Sequence, residues 1–129
     1  MELVKKINLV VIMVFSFCFC AQKPEFDSLT PAEFEKLIKE NKSVQLVDVR
    51  RQVEYDSAHI DKAILIDVLD SGFVDRAKLL LDKSKPVAVY CRSGRRSKNA
   101  AGMLVKEGFI VFDLDSGYLG WIEYKTMHN

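Results

Sequence analysis

The sequence predicts an α/β domain in which a mainly parallel β-sheet lies between layers of helices. Segments rich in β-branched residues alternate with segments whose apolar residues recur at helical spacing. The helical segments are long enough to connect neighbouring parallel strands by right-handed crossovers. The chain has 129 residues, 49% of them hydrophobic. This size and composition suit one three-layer domain and exclude a disordered chain.

The first helix and the first two strands are predicted within residues 30–66. Thr30 can cap a helix that has Pro31 in its first turn and Glu33 as the partner residue of a capping box. Phe34 lies on the apolar face of this helix, together with Leu37 and Ile38, and the helix stops at Asn41. Short apolar runs predict strands at 44–49 and 63–66, with a brief helical turn at 52–55 between them. Residues 22–27 are expected to form only a lead-in.

The remaining elements are predicted in the same way from residue 73 onward. Residues 73–81 suit a helix whose inward side chains are Val74, Ala77, Leu80 and Leu81. The apolar run 86–90 predicts a central strand, and 97–107 a helix that ends at Gly108. A last strand at 109–112 and a closing helix at 118–124 complete the pattern.

The N-terminal residues have the features of a secretory signal peptide. Lys5 and Lys6 precede an uncharged apolar stretch at 7–21. We expect cleavage near Ala21, so that residues 1–21 are the signal peptide and residues 22–129 the domain. An uncut membrane anchor and a lipid-modified cysteine at position 18 or 20 are the alternatives. The prediction is an exported protein, in the bacterial periplasm or cell envelope.

The charge of the predicted mature domain is balanced. Removing Lys5, Lys6 and Glu2 leaves 17 basic and 17 acidic side chains. A neutral domain lacks the basic excess of a non-specific nucleic-acid binder, so no nucleic-acid partner is expected. After cleavage Cys91 is the single cysteine, which excludes an internal disulfide. Its surroundings must therefore decide between a buried apolar role and a chemical one.

The segment that follows the central strand predicts a reactive cysteine in an anion-binding loop. It consists of Cys91, Arg92, Ser93, Gly94, Arg95 and Arg96, followed by Ser97 at the start of a helix. In parallel sheets, sites lie at the carboxyl ends of strands. If the loop curls at the glycine, its backbone N–H groups and the helix dipole converge on the sulfur and favour a thiolate nucleophile. The three arginines favour an anionic substrate, and no cofactor or metal is expected.

Taken together, these motifs resemble a single-domain rhodanese, over about residues 30–121. The motif residues, in order, are Leu46 to Arg50, Glu54-Tyr55, His59-Ile60, Ala63, Tyr90 to Ser97, Ala100-Ala101, Gly108-Phe109, Gly117-Tyr118 and Trp121. The resemblance implies a rhodanese-like fold with a central five-stranded parallel sheet flanked by helices. It also implies that Cys91 is the nucleophile that carries a sulfane sulfur as a persulfide. The loop Cys91 to Arg96 is then the active-site loop, in which Arg92, Ser93, Gly94, Arg95 and Arg96 bind the substrate.

The other motif residues are interpreted as supporting groups. Asp48 and Arg50 are expected to form an ion pair or a cap, and Glu54 to pair with Arg50 or Arg51. His59 is expected to be a hydrogen-bonded support, since a thiolate ionised by its loop needs no general base. Ser97 is a further supporting residue at the helix start. Trp121 is expected in the core or at the pocket rim, and His128 in solvent.

The sequence departs from the family pattern at three turns. Ala58 replaces the usual glycine before His59, and Asp61-Lys62 replaces a Pro-Gly-like pair. Ser116 replaces the first residue of a usual Gly-Gly pair in a loop that commonly borders the pocket. We expect Ser116 either to narrow the pocket mouth or to reach the sulfur through its hydroxyl. On that hypothesis Ser116→Gly alters substrate affinity more than stability.

Three function classes follow from these observations. The first is a sulfurtransferase that uses thiosulfate or a similar small anion and passes the sulfur to cyanide, a thiol or a protein. The second is a cysteine-dependent phosphatase or arsenate reductase relative, and the third a non-catalytic binding module. The phosphatase pattern places an arginine six positions after the cysteine, where this chain has Ser97. The sequence therefore favours sulfur transfer over phosphate chemistry, and the retained Cys91 argues against the binding module.

Overall fold

The structure, a computed structural model, describes residues 25–129 and contains five strands and five helices in that range. The predicted signal peptide at 1–21 lies outside the described residues. The strands are β1 (Asp27–Leu29), β2 (Gln45–Asp48), β3 (Ile64–Leu65), β4 (Val87–Tyr90) and β5 (Val111–Leu114). The helices are α1 (Pro31–Glu40), α2 (Gln52–Ser57), α3 (Phe73–Leu80), α4 (Arg95–Lys106) and α5 (Gly117–Met127). In residues 25–129 no helix combines the length and apolar character needed to span a membrane.

All strands are parallel and form one sheet in the order β1-β5-β4-β2-β3. The sequence-based prediction of an α/β domain with a five-stranded parallel sheet is confirmed. β4 lies at the centre of the sheet and is buried along its whole length. Its carboxyl end, where the predicted active-site cysteine follows, is therefore flanked by the ends of β2 and β5.

Two apolar clusters cover the two faces of the sheet. One contains Val47, Val89 and Leu104 and packs α3 and α4 against the sheet. The other contains Phe34, Tyr90 and Trp121 and packs α1 and α5 against the opposite face. Trp121 is buried, and its ring meets that of Phe34 edge to face at 6.1 Å. The central strand thus contributes alternate side chains to both cores, which holds its carboxyl end rigidly.

Most element predictions hold, and the differences have physical reasons. The capping box forms, with the Glu33 N–H donating to Thr30 Oγ1 at 3.3 Å and the Thr30 N–H donating to Glu33 Oε1 at 3.0 Å. Leu80, predicted to face inward, is 55% exposed, because the buried side of α3 carries Phe73 and Ala77. The predicted lead-in at 22–27 runs into the strand β1. This strand has only three residues, too few to show a strand pattern in the sequence.

The last strand begins and ends two residues later in the sequence than predicted. β5 spans Val111–Leu114, two residues later than the predicted strand at 109–112, because the turn after Gly108 includes Phe109 and Ile110. Gly108 itself has a positive φ of 95°, as a helix-ending glycine requires. The shift moves Asp113 into a strand, where its side chain is fully buried. The carboxyl end of β5 therefore has polar groups that the sequence analysis did not assign.

Candidate active site

Cys91 directly follows β4 and is almost completely buried, with 1% of its surface exposed. The strand ends at Tyr90, and α4 begins at Arg95, so a four-residue loop joins them. Helix α4 starts two residues earlier than the sequence predicted, because Gly94 already serves as its N-cap. The start of a twelve-residue helix therefore lies beside the sulfur, where its dipole favours negative charge.

Gly94 provides a direct hydrogen bond to the sulfur. Its backbone N–H donates to Cys91 Sγ at 3.1 Å. The residue has φ of 99°, in the left-handed region, and a Cβ at this position would overlap the Asp115 carbonyl oxygen. Only glycine fits this position, which explains why the loop contains one there. The loop thus curls as the sequence analysis expected.

Ser97 supplies a second polar contact. Its side chain is fully buried, and its Oγ lies 3.5 Å from Cys91 Sγ, with the thiol donating to the hydroxyl. When the sulfur is ionised, the same hydroxyl can turn its proton toward it, since the hydroxyl group is both donor and acceptor. A buried serine therefore occupies the position where the phosphatase pattern requires an arginine.

Helix α5 fixes the outer side of the loop. The Tyr118 N–H donates to the Cys91 carbonyl at 2.8 Å, and the Leu119 N–H donates to the Arg92 carbonyl at 3.1 Å. These bonds fix the two carbonyls in place and satisfy free N–H groups at the start of α5. Gly117, with φ of 66°, allows the close approach, since a Cβ there would overlap the Arg92 carbonyl. The N-termini of two helices therefore meet at one loop.

The arginines of the loop divide into two kinds. Arg92 and Arg95 are exposed, and within residues 25–129 neither takes part in an ion pair. Arg96 is bound by both oxygens of Glu54, at 2.7 and 3.0 Å. The hydrogen bond from Arg96 lowers the pKa of Glu54 to about 2. Glu54 therefore pairs with Arg96 across the fold, rather than with the side chain of Arg50 or Arg51 as predicted.

Asp48 and Arg50 form a buried network beside the site. Arg50 donates from Nε and Nη2 to Asp48, the shortest distance being 2.7 Å, and Nη2 also donates to the Ala58 carbonyl. The Tyr90 hydroxyl donates to Asp48 at 2.8 Å and accepts the Ile60 N–H. Burial and the neighbouring Asp48 carboxylate raise the pKa of Tyr90. The network joins β2, β4 and the turn before β3, in agreement with the expected structural ion pair.

His59 and Ser116 do not touch the sulfur. His59 is exposed, stacks on Tyr55 with ring centroids 3.7 Å apart, and bonds through Nδ1 to the Tyr55 carbonyl at 2.8 Å. Ser116 is exposed at the start of α5, and its hydroxyl packs against Gly120, where a Cβ would overlap it. The expectation that this hydroxyl reaches the sulfur is therefore not met. Narrowing of the pocket mouth by Ser116 stays a prediction.

A groove of about 350 Å³ lies beside the loop, between α2 and α5. Its exposed apolar residues include Val53, Leu119 and Ile122, and Arg92 stands at its edge. Arg50, Glu54, Ser57, Ala58 and Tyr118 complete the lining. Among residues 25–129, no group of three or more histidine, cysteine or carboxylate side chains is arranged to hold a metal ion.

Lys98 and Asp113 are polar residues of this region that stand in none of the sequence motifs. The Lys98 ammonium forms ion pairs with Asp113 and Asp115, and it also donates to the Gly94 carbonyl. A charged residue in an otherwise apolar strand was the available signal for Asp113. Lys98 resembles any exposed lysine of a helix, so only the structure reveals its contacts.

Comparisons with known proteins agree with this geometry. The rhodanese-like domain family matches residues 30–124. The thiosulfate sulfurtransferase GlpE of Shewanella oneidensis is 37% identical over 86 residues, which cover 65% of this chain and 81% of that protein. The probable adenylyltransferase/sulfurtransferase MoeZ of Mycobacterium tuberculosis is 35% identical over 104 residues. That match covers 78% of this chain but only 26% of MoeZ, so the chain spans about a quarter of that relative.

Solved structures show the same architecture. A rhodanese-related protein from Thermoplasma volcanium superposes with a TM-score of 0.68 at 29% identity, covering 77% of this chain and 93% of that one. The rhodanese-like domain of the Anabaena protein Alr3790 also has a TM-score of 0.68, at 24% identity, covering 78% and 76% of the two chains. The cysteine loop at the centre of a five-stranded parallel sheet, the family match and these relatives lead to one conclusion: the chain belongs to the rhodanese-like domain family.

Proposed function

We propose that this protein is an exported sulfurtransferase that moves a sulfane sulfur from thiosulfate, or a similar small anion, to a thiophilic acceptor through a persulfide on Cys91. The observation that carries the proposal is the Gly94 N–H donating to Cys91 Sγ at the start of α4. This contact stabilises sulfur in its anionic form, which is the nucleophile. Relatives with sulfurtransferase names support the reaction class.

The first half-reaction forms the persulfide. The Cys91 thiolate attacks the outer sulfur of thiosulfate, a new sulfur–sulfur bond forms, and the sulfur–sulfur bond of thiosulfate breaks so that sulfite leaves with the electron pair. Arg92 and Arg95 are exposed beside the loop and balance the charge of donor and sulfite. Arg96, already bound by Glu54, is expected to act on the loop more than on the anion.

The second half-reaction returns the thiolate. A nucleophilic acceptor, such as cyanide or a thiol, attacks the outer sulfur of the persulfide, and the bond to Cys91 Sγ breaks. The Gly94 N–H and the Ser97 hydroxyl contact Sγ and stabilise the charge that returns to it. The two halves predict ping-pong kinetics, because sulfite leaves before the acceptor reacts.

The loop geometry favours sulfur over phosphate as the group transferred. Ser97 is buried against the sulfur, so the position of a phosphate-binding arginine is filled by a short side chain. Its hydroxyl accepts from or donates to one atom and offers no fork for a phosphoryl group. Phosphatase or arsenate reductase activity is therefore the weaker proposal.

Intact-mass analysis of the purified protein after exposure to thiosulfate tests the reaction. We expect the mass of one added sulfur, lost again on addition of cyanide with formation of thiocyanate, and no such mass in Cys91→Ser. Release of phosphate from an aryl phosphate is measured on the same preparation. Robust phosphate release without a Cys91 persulfide would overturn the proposal in favour of the phosphatase class.

Export is proposed from the N-terminal sequence alone. Two lysines precede the apolar stretch 7–21, which is shorter than the roughly 20 apolar residues of a spanning helix. We expect signal-peptidase inhibition to convert the exported protein into a slower-migrating form. An unprocessed protein in untreated cells would favour the membrane anchor, and a lipid-labelled one the modified cysteine.

A further inference from the structure

The Lys98 ammonium lies between the cysteine loop and the carboxyl end of β5. Nζ is 2.9 Å from Asp113 Oδ2 and 2.9 Å from Asp115 Oδ1. It also lies 3.2 Å from the Gly94 carbonyl oxygen and 3.4 Å from that of Asp115. Four oxygen atoms, one from the loop and three from the segment at the end of β5, therefore surround one cation.

The buried Asp113 carboxylate holds the Lys98 ammonium in this position. Its carboxylate is fully buried, accepts from the Ser28 hydroxyl and Lys98 through Oδ2, and has no hydrogen-bond partner at Oδ1 within residues 25–129. A buried carboxylate without a cation is costly, so Asp113 retains Lys98. Desolvation opposes the charge on Lys98, but the hydrogen bonds to Asp113 and Asp115 outweigh it and raise the pKa of the lysine.

The anchored Lys98 ammonium binds the backbone of Gly94. Its N–H donates to Cys91 Sγ, and its carbonyl accepts from Lys98. Glycine populates many backbone conformations, so its own preferences do not hold φ at 99°. The orientation of the N–H toward the sulfur therefore depends on neighbouring contacts, among them the bond from Lys98 to the carbonyl on the other side of the Gly94 Cα atom.

We propose that Lys98 is a positioning residue of the active site: anchored by Asp113 and Asp115, it holds the Gly94 carbonyl and so keeps Gly94 in the backbone conformation that points its N–H at the Cys91 sulfur. Lys98 acts through Gly94 and does not contact Sγ. The inference rests on the proposed function for its catalytic consequence, while its structural part concerns the reactivity of the thiol itself.

Other charged groups surround the sulfur and must be considered in any pH measurement. On the loop and α4 they are Arg92, Arg95 and Arg96. From the packed elements they are Glu54 on α2, Asp48 with Arg50 at the end of β2, Asp67 after β3, and Asp113 with Asp115 at the end of β5.

The test measures the rate of Cys91 alkylation by iodoacetamide against pH, on the full chain, read by mass spectrometry from the peptide that contains Cys91 because the N-terminal stretch has two further cysteines. In Lys98→Met we expect the pH midpoint of alkylation to rise by about one unit, which makes alkylation and persulfide formation about tenfold slower at pH values below the wild-type midpoint. Lys98→Arg, which keeps the charge and donors, should restore part of the shift. Lys106→Met, at the far end of the same helix, is the matched control and should leave the midpoint unchanged.

Asp113→Asn separates positioning from simple charge and remains available if Lys98→Met fails to fold. Loss of a negative charge near the sulfur should by itself lower the midpoint. Loss of the anchor of Lys98 should raise it. A rise in Asp113→Asn supports the proposal, and a fall or no change overturns it.

An unchanged midpoint in folded Lys98→Met also overturns the positioning role. The alkylation needs no sulfur donor, so its outcome is independent of the reaction class. If the wild-type protein forms no persulfide but the midpoint shifts as expected, the sulfurtransferase proposal fails and the positioning role stands.

Discussion

The ends of β2 and β4 are neighbours in the sheet, but their polar groups are used in opposite ways. At the end of β2, Asp48 and Arg50 bind each other, Tyr90 and backbone groups in a buried network. At the end of β4, the loop directs a backbone N–H at a sulfur and leaves two arginines exposed. One strand end has its charges neutralised within the chain, whereas the other keeps unneutralised cations available.

The difference separates arginines that are held by carboxylates of the fold from arginines that are free to contact an anion. Both strand ends are rich in charged residues, so composition does not distinguish them. Arg50 and Arg96 are held by carboxylates, and each links separate segments of the fold, Arg50 through the Ala58 carbonyl and Arg96 through Glu54 on α2. Arg92 and Arg95 project from the same site without such a carboxylate in the described part of the chain. Substitution of an arginine held by a carboxylate should therefore lower mainly the stability of the fold. Substitution of an exposed arginine should lower mainly the activity.

The largest expected effect is that of Cys91→Ser on turnover. The substitution removes the sulfur proposed to carry the persulfide, so sulfur transfer from thiosulfate to cyanide should be abolished. A serine hydroxyl is close in size to the thiol, so the melting temperature should change little. Thiocyanate formation and thermal unfolding, measured together, check both parts. Residual turnover well above the uncatalysed rate would remove Cys91 from the nucleophile role.

At the end of β2, Arg50→Met should lower the free energy of unfolding. It leaves the Asp48 carboxylate buried without its cation, which costs about 3–5 kcal/mol in the free energy of unfolding. Arg76→Met is the matched control, because Arg76 pairs with Asp70 at the surface. That exposed pair should be worth no more than about 1 kcal/mol. Equal losses in urea unfolding would contradict the distinction between the two pairs.

Arg92→Ala should show the reverse pattern. Losing one charge-assisted contact to the anion should lower kcat/KM for thiosulfate about tenfold to a hundredfold, corresponding to about 1.5–3 kcal/mol. The free energy of unfolding should stay close to that of the wild type. Arg76→Ala controls for general loss of positive charge and should leave kcat/KM unchanged. An equal loss in both variants would mean that long-range charge, not contact, matters.

Glu54→Gln tests the pair that restrains Arg96. The hydrogen bond from Arg96 depresses the pKa of Glu54 from 4.5 to about 2, so the carboxylate stabilises the folded state above pH 4.5. This stabilisation, about 2 kcal/mol for a charge-assisted contact, is lost as the pH falls toward 2. The difference in unfolding free energy between wild type and variant should shrink over that range. Glu123→Gln, on the exposed face of α5, should show no such trend.

The smallest expected effect concerns the turn before Ala63. Lys62 has a positive φ of 69°, in the left-handed region that glycine adopts without strain. Lys62→Gly should therefore raise the free energy of unfolding by about 0.5–1 kcal/mol without altering turnover. Lys62→Ala keeps the Cβ and should bring no gain. A stabilised alanine variant would show that the lysine side chain, not the backbone, is responsible.

The fold and the curled geometry of the cysteine loop could be predicted because both depend on local pattern. Strand and helix periodicity identifies the layers, and a cysteine between a buried strand and a glycine-containing helix start identifies the site. The partner of Glu54 could not be predicted, because 42 residues separate it from Arg96. The same limit applies to Lys98, whose carboxylate partners lie in β5 and directly after it, on the far side of the loop.

Where a prediction was wrong, a neighbouring element decided the outcome. The strand β1 is too short to show a pattern, and its three residues are ordered by pairing with β5. The Ser116 hydroxyl was expected near the sulfur, but Gly120 leaves space for it on α5. Leu80 fits a helical period, yet the helix faces the core with Phe73 and Ala77.

The pairing of β1 with β5 has a consequence for how the sheet assembles. Ser28 lies opposite Asp113, so 85 residues separate two groups that meet in the finished sheet. Contacts of such long range require a large loss of chain entropy before they contribute, and they slow the folding of small domains. We therefore expect the pairing of β1 with β5 to limit the rate of refolding.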